Sequence, residues 1–275
     1  MGNSKFKVNR ESSKISLIPR RALWQVGKNA RRLLRTFSLF VFFGISIFAP
    51  SDTLPFQKDP ALEWHQLYTR IRDGLISKPE AQSRIKSLET MLKESYPGQS
   101  GGEDEKPLCF PLEGYGFTDI GGKEGTGYQA RGYDFIDGNR HGGHPGHDIF
   151  IRDRDRDGLD DATERPVNVI SCCSGIVVST RLGWEPSSPI RGGNYVWIYE
   201  SARDRYYYYA HLNEILAKIG QIVARGQRIG TVGRTGKNAY PKRSPTHLHF
   251  TVHHSVEGTL NPVNPYKELV GGGCR

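Results

Sequence analysis

Cysteine is scarce in this chain and badly spaced for metal binding. Its four cysteines, Cys109, Cys172, Cys173 and Cys274, include no Cys-x-x-Cys pair, which argues against a zinc site made of thiolates alone. They allow three complete pairings. Neighbouring Cys172 and Cys173 on a strand would face opposite sides, so at most one of them easily joins a given partner. A His-Glu-x-x-His motif is also missing, so no helix-borne glutamate is available as the base of a metal-assisted hydrolysis. No internal repeat is visible.

An excess of either charge is absent from most of the chain. The formal net charge is +9, but residues 1–35 hold ten Lys and Arg side chains against Glu11 alone, so the remainder is formally neutral. The basic character belongs to the tail, and no nucleic-acid partner follows for the main domain. A long hydrophobic run is lacking as well. The apolar stretch at 37–49 is near the length of a signal-peptide core and short of the ~20 residues of a full span. Basic then apolar is the order of an export signal. It reads equally as a cleaved signal or as an uncleaved membrane anchor oriented by the positive-inside rule. Both readings place residues 51–275 outside the cytoplasm, in the periplasmic or extracellular part of the envelope, where disulfides persist.

Helical signals follow at 59–94. Asp59-Pro60 offers an N-cap and a proline at N1, and Trp64, Leu67, Tyr68, Ile71 and Leu75 recur at helical spacing. Ser77 with Glu80 forms a capping box before Ala81, Ile85, Leu88 and Leu92. The pattern predicts a helical hairpin, either an arm packed on the main domain or a spacer. Beyond a Gly- and acid-rich linker, β-rich runs alternate with glycine turns. Strands are predicted at 148–151, 176–180, 195–199, 206–210, 228–232 and 247–252. Residues 121–143 form a glycine-rich loop long enough to be functional. The predicted organisation is a basic N-terminus with signal or anchor (1–50), hairpin (51–96), linker (97–107), mainly β domain (108–270) and flexible tail (271–275).

Histidine is where chemistry concentrates. In His247-Leu248-His249-Phe250-Thr251-Val252 the alternation of a strand points both imidazoles one way and Leu248, Phe250 and Val252 into a core. Upstream, His144-Pro145-Gly146-His147-Asp148 adds imidazoles and a carboxylate, and Tyr209-Ala210-His211-Leu212 adds another histidine. A catalytic zinc takes three such protein ligands and keeps one position open. His147 would face away from Asp148, and His141 lacks the spacing to Gly146, so neither is favoured as a ligand. His65, His253 and His254 read as surface residues.

These motifs, with Gly193-Asn194-Tyr195-Val196-Trp197-Ile198 and the glycine-punctuated 226–236 segment, resemble the M23 family of zinc metallopeptidases, the lysostaphin and LytM type. The likeness covers about residues 140–255, in the family's order. It implies a mainly antiparallel β fold and Zn2+ held by His144, Asp148 and His249. His211 and His247 would stand beside the water on the metal, one taking its proton and the other donating to the oxyanion. It further implies an endopeptidase acting on the peptide cross-links of bacterial peptidoglycan. The alternative is a non-catalytic LytM-type regulator that activates another cell-wall hydrolase. Such members lose metal ligands, whereas this chain keeps all five polar residues. A third reading, a wall-binding or carbohydrate-binding module with structural histidines, would show neither stoichiometric zinc nor turnover.

Residues 153–164 fit the pattern of an EF-hand calcium loop, with acids at positions 1, 3, 5, 9 and 12 and glycine at 6. Asp153, Asp155, Asp157, Asp161 and Glu164 would offer side-chain oxygens and Leu159 a backbone carbonyl to Ca2+. Asp160 departs from the pattern at position 8, and helical signals do not flank the loop.

Overall fold

The computed structural model describes residues 59–96 and 107–274; the basic tail, the apolar run at 37–49 and nearly all of the predicted linker lie outside the described residues. Among the described residues ten strands dominate. They are β1 (Gly146–Phe150), β2 (Asn168–Ile170), β3 (Gly175–Arg181), β4 (Tyr195–Glu200), β5 (Arg205–Ala210), β6 (Leu212–Ile215), β7 (Ile222–Val223), β8 (Arg228–Val232), β9 (His247–Val256) and β10 (Thr259–Val263). Three helices accompany them: α1 (Pro60–Arg72), α2 (Lys78–Ser95) and α3 (Tyr266–Gly271). The larger sheet runs β1-β9-β5-β4-β3-β7, with β10 also paired to β9, and the smaller runs β2-β8-β6. Every strand pairing is antiparallel.

The larger sheet is covered on both faces. On one, Val177, Ile198, Tyr207, Tyr209, Leu248, Phe250 and Val252 share a core with Val169, Leu212, Ile229 and Val232 of the smaller sheet. On the other, Trp197, Tyr199 and Tyr206 share a core with Trp64, Leu67, Ile71, Ile85 and Leu88 of the hairpin. Trp64 stacks on Tyr206 at 5.2 Å and lies 5.8 Å from Trp197. This accounts for the tyrosine run at 206–209, where polar and apolar residues do not alternate. A strand covered on both faces has no solvent side to mark.

The hairpin forms as its caps predict. Asp59 accepts a hydrogen bond from the Ala61 amide, and Ser77 accepts one from that of Glu80. One disulfide joins Cys109 to Cys274 with Cα atoms 4.8 Å apart, while Cys172 and Cys173 are buried free thiols. Where a flexible tail is expected, Cys274 is thus tied down, and the Gly273 carbonyl accepts from Arg225. Among the described residues no helix is long and apolar enough to cross a membrane.

Candidate metal centre

The alternation of β9 decides which face carries chemistry. Leu248, Phe250 and Val252 are fully buried between the sheets, so His247, His249, Thr251 and His253 turn to the face that the hairpin partly covers. β1 pairs with β9 in a register that sets Asp148 directly opposite His249. Gly146 makes this approach possible. A Cβ there would lie 2.4 Å from the Phe250 carbonyl oxygen, so the strands could not close with any other residue at that position.

His144 Nε2, Asp148 Oδ1 and His249 Nδ1 converge. Both imidazoles reach the same carboxylate oxygen, at 3.1 Å and 2.9 Å. The candidate ligand atoms all lie within 4.8 Å of one another. This donor set suits zinc, which accepts imidazole nitrogen and carboxylate oxygen. A divalent ion would replace the protons that link the three groups here. The far nitrogen of His144 lies 3.0 Å from the Gly127 carbonyl oxygen, which can only accept, so Nδ1 carries the proton and Nε2 is left for a metal. Gly127 belongs to the glycine-rich loop, and this contact gives that loop a task.

His211 and His247 stand next to this trio. Their rings lie 4.8 Å apart, and His247 Nε2 is 3.7 Å from Asp148 Oδ1. Each points Nδ1 at a backbone carbonyl, Thr235 for His211 and Pro245 for His247, both at 2.8 Å. The tautomers are thereby set, with the proton on Nδ1 and the Nε2 lone pair free. His211 has φ of 66°, a left-handed conformation uncommon outside glycine. The segment before it makes room. Gly193 has φ of 67°, and a Cβ on it would meet the Thr235 carbonyl carbon at 2.3 Å, so only glycine lets these two turns touch. Their contact brings the Thr235 carbonyl to His211.

Electrostatics follow from burial. Burial raises the Asp148 carboxyl, but hydrogen bonds from His144 and His249 outweigh it and hold the group well below the usual carboxylate range. Burial pushes His211 far below its ordinary value, helped by the charges of His247 and His249. It also lowers His249. The hydrogen bond to Asp148 raises His144.

A cleft of about 210 Å³ opens over these five side chains and runs toward Tyr68 and Arg72 of α1, with Tyr133, His141 and Arg191 along it. His147 turns away and bonds Asn264 at 2.8 Å, and His141 lines the cleft outside the ligand trio. His254 is exposed as read, but two surface readings need correcting. His253 is 1% exposed and bonds the Tyr133 hydroxyl, because residues 133–135 fold over that end of the sheet. His65 is half-buried and bonded to Ser179. The site also depends on groups that sequence reasoning missed, the carbonyls of Gly127, Thr235 and Pro245. Backbone carbonyls leave no side-chain signal.

In the acidic loop, Asp153, Asp155 and Asp161 bring carboxylate oxygens within 4.8 Å of one another, while Asp157 and Glu164 stay outside that group. Asp157 caps the Leu159 amide instead. Asp160 turns inward, is 2% exposed, and bonds Tyr115 and Arg152. Asp153 accepts from Thr246, which ties the loop to the residue before His247.

Residues 154–265 match the model of peptidase family M23. The match starts after His144 and Asp148; the register of β1 against β9 sets Asp148 opposite His249, and His144 reaches Asp148 at 3.1 Å. The matched segment, about two fifths of the chain, is similar to peptidase family M23. The chain is 37% identical over 121 residues to the peptidoglycan DD-endopeptidase ShyA of Vibrio cholerae, covering 44% of this chain and 24% of that relative. It therefore spans about a quarter of the curated relative's length. A zinc-containing peptidase from Vibrio cholerae is similar in structure, at 28% identity, with 58% of this chain and 40% of that one covered and a TM-score of 0.39. The catalytic domain of lysostaphin from Staphylococcus simulans is similar at 27% identity, covering 46% and 80%, with a TM-score of 0.33.

Proposed function

We propose that the protein is a zinc-dependent endopeptidase that cleaves the peptide cross-links of bacterial peptidoglycan. The observation that carries this reading is the convergence of His144, Asp148 and His249 beside His211 and His247 in a chain whose 154–265 segment matches the M23 family model. His144, Asp148 and His249 would hold the metal. A zinc ion bound there supplies Lewis acidity and a water whose pKa falls toward ~7. His211 and His247 each present a neutral Nε2 lone pair to the cleft, with the ring fixed through Nδ1. One of them would take a proton from the attacking water and pass it to the leaving amine as the C–N bond breaks. The other, with a proton taken up from solvent at Nε2, would donate to the oxygen that gains charge. Two imidazoles and one carboxylate would leave a divalent ion held by them with net positive charge.

The reading includes an exported protein of the bacterial cell envelope, periplasmic or extracellular. It stays membrane-attached if the apolar run at 37–49 is not cleaved. Calcium at the 153–164 loop is a subordinate part of the proposal, supported by the three converging carboxylates.

Elemental analysis tests the ligand set. The wild-type protein is expected to carry one zinc, and Asp148→Ala and His249→Ala to lose most of it, because a three-ligand site cannot spare one. Wild-type zinc content in both variants would remove the assignment.

A further inference from the structure

The cleft contains two guanidinium groups, and their situations differ. Arg72 is already neutralised: Nε and Nη2 grip both oxygens of Asp73, each at 2.8 Å, and Nη1 donates to the Tyr195 hydroxyl. Arg191 has no such partner. Its Nη1 donates to the His141 carbonyl at 2.8 Å, and among the described residues no carboxylate lies within ion-pair distance of it. The other edge of the fork, Nε and Nη2, has no protein partner among the described residues. It is half-buried and lines the same cleft as the metal trio. Its charge is close enough to be felt at His144.

The backbone of Arg191 is held as firmly as that of the site itself. Its amide donates to the Asn139 side chain at 3.0 Å, and the next residue, Gly192, accepts from the His211 amide at 2.9 Å. A planar cation fixed beside a reacting centre, with one edge free and no acid to neutralise it, is suited to a carboxylate.

We propose that Arg191 is a specificity-determining residue that binds a carboxylate on the substrate next to the scissile amide. The proposal rests on the peptidase reading above and deepens it. Peptidoglycan cross-links differ in this respect. A link to a diamino acid whose second amino-bearing carbon also carries a carboxyl places that carboxylate on the carbon that bears the leaving nitrogen. An internal glycine–glycine link has none. Arg191 therefore selects the former. The half-buried Arg191 lacks a fixed anion among the described residues, and the substrate would supply one.

Two synthetic cross-link peptides test this, identical except for a free carboxylate or a carboxamide on the carbon bearing the leaving nitrogen. The zinc-loaded full chain is expected to prefer the carboxylate by on the order of 10-fold or more in kcat/KM, mainly through KM, the range for a charge-assisted hydrogen bond. Arg191→Gln is expected to lower kcat/KM for the carboxylate peptide far more than for the carboxamide, bringing the ratio toward unity. Arg191→Lys, which keeps charge but not the fork, should retain part of the preference. Equal cleavage of both peptides by the wild type, or an undiminished preference in Arg191→Gln, overturns this proposal alone. Cleavage of neither peptide, nor of any peptidoglycan link, overturns the peptidase reading and this proposal with it.

Discussion

His211 sits at φ of 66° with its ring buried and its Nδ1 proton committed to Thr235. Left-handed non-glycine residues cost free energy and persist only where the surroundings over-determine them. This strain, at a residue that also faces a ligand trio, supports a catalytic role more strongly than its position after four tyrosines could. His211→Ala and His247→Ala are expected to keep zinc and to lose turnover by on the order of 10²-fold or more. Steady-state kinetics beside metal analysis separates the two effects, and wild-type turnover in both variants would take the acid–base role away from this pair. His253 makes a different prediction, about stability. Burial, aided by the charges of His141 and His249, pushes it down to about 3 from the ordinary 6.5. Between those values the unfolded chain takes up a proton that the folded chain refuses. Its contribution is thus intact above pH 6.5 and is lost as pH falls toward about 3. In metal-free protein, His253→Gln is expected to flatten the fall of the melting temperature across that window. An unchanged slope would mean that the buried imidazole carries no such linkage.

Elements differ in how plainly the sequence announced them. β9 was legible because Leu248, Phe250 and Val252 alternate cleanly with polar residues, although the strand runs on to Val256. β4 and β5 were legible from aromatic and β-branched content. The hairpin was legible from its caps and its stripe of Trp64, Leu67 and Ile71. β6 and β10 were not. Leu212-Asn213-Glu214-Ile215 is too short and polar to read as a strand, and Pro262 argues against one in β10. The inward turn of Asp160 has no one-dimensional signal either, although its misfit to the calcium pattern marked it as unusual. The tie from Asp153 to Thr246 gives the acidic loop a mechanical route to His247. If calcium binds the folded loop, it raises the melting temperature by linkage, and Asp155→Ala with Glu164→Gln should abolish that gain. Calorimetry at constant zinc, with and without millimolar calcium, reads the difference. No difference leaves a loop held only by its arginines and backbone amides.

At the scale of the whole molecule, one sheet face is divided between two tasks. The hairpin covers one part through Trp64 and Leu67, and the histidines of β9 occupy the rest, so α1 ends at the cleft with Tyr68 and Arg72 in its wall. The folded core that supports this arrangement is largely outside the chemistry, since the face between the two sheets is wholly apolar at Leu248, Phe250 and Val252. The site was legible as a set of residues because two motifs lie on paired strands and keep their spacing. Its finish, in the carbonyls and turns that set each tautomer, was not, because those groups are common to every residue. Digestion of purified peptidoglycan by the zinc-loaded protein, with the fragments identified by mass spectrometry, tests the central claim most directly. The account predicts that cross-linked dimers are split at a peptide bond between stems with the glycan strands intact, and that removing zinc abolishes the cut. Intact cross-links after incubation with zinc-replete protein, or cleavage of the glycan instead, would contradict it.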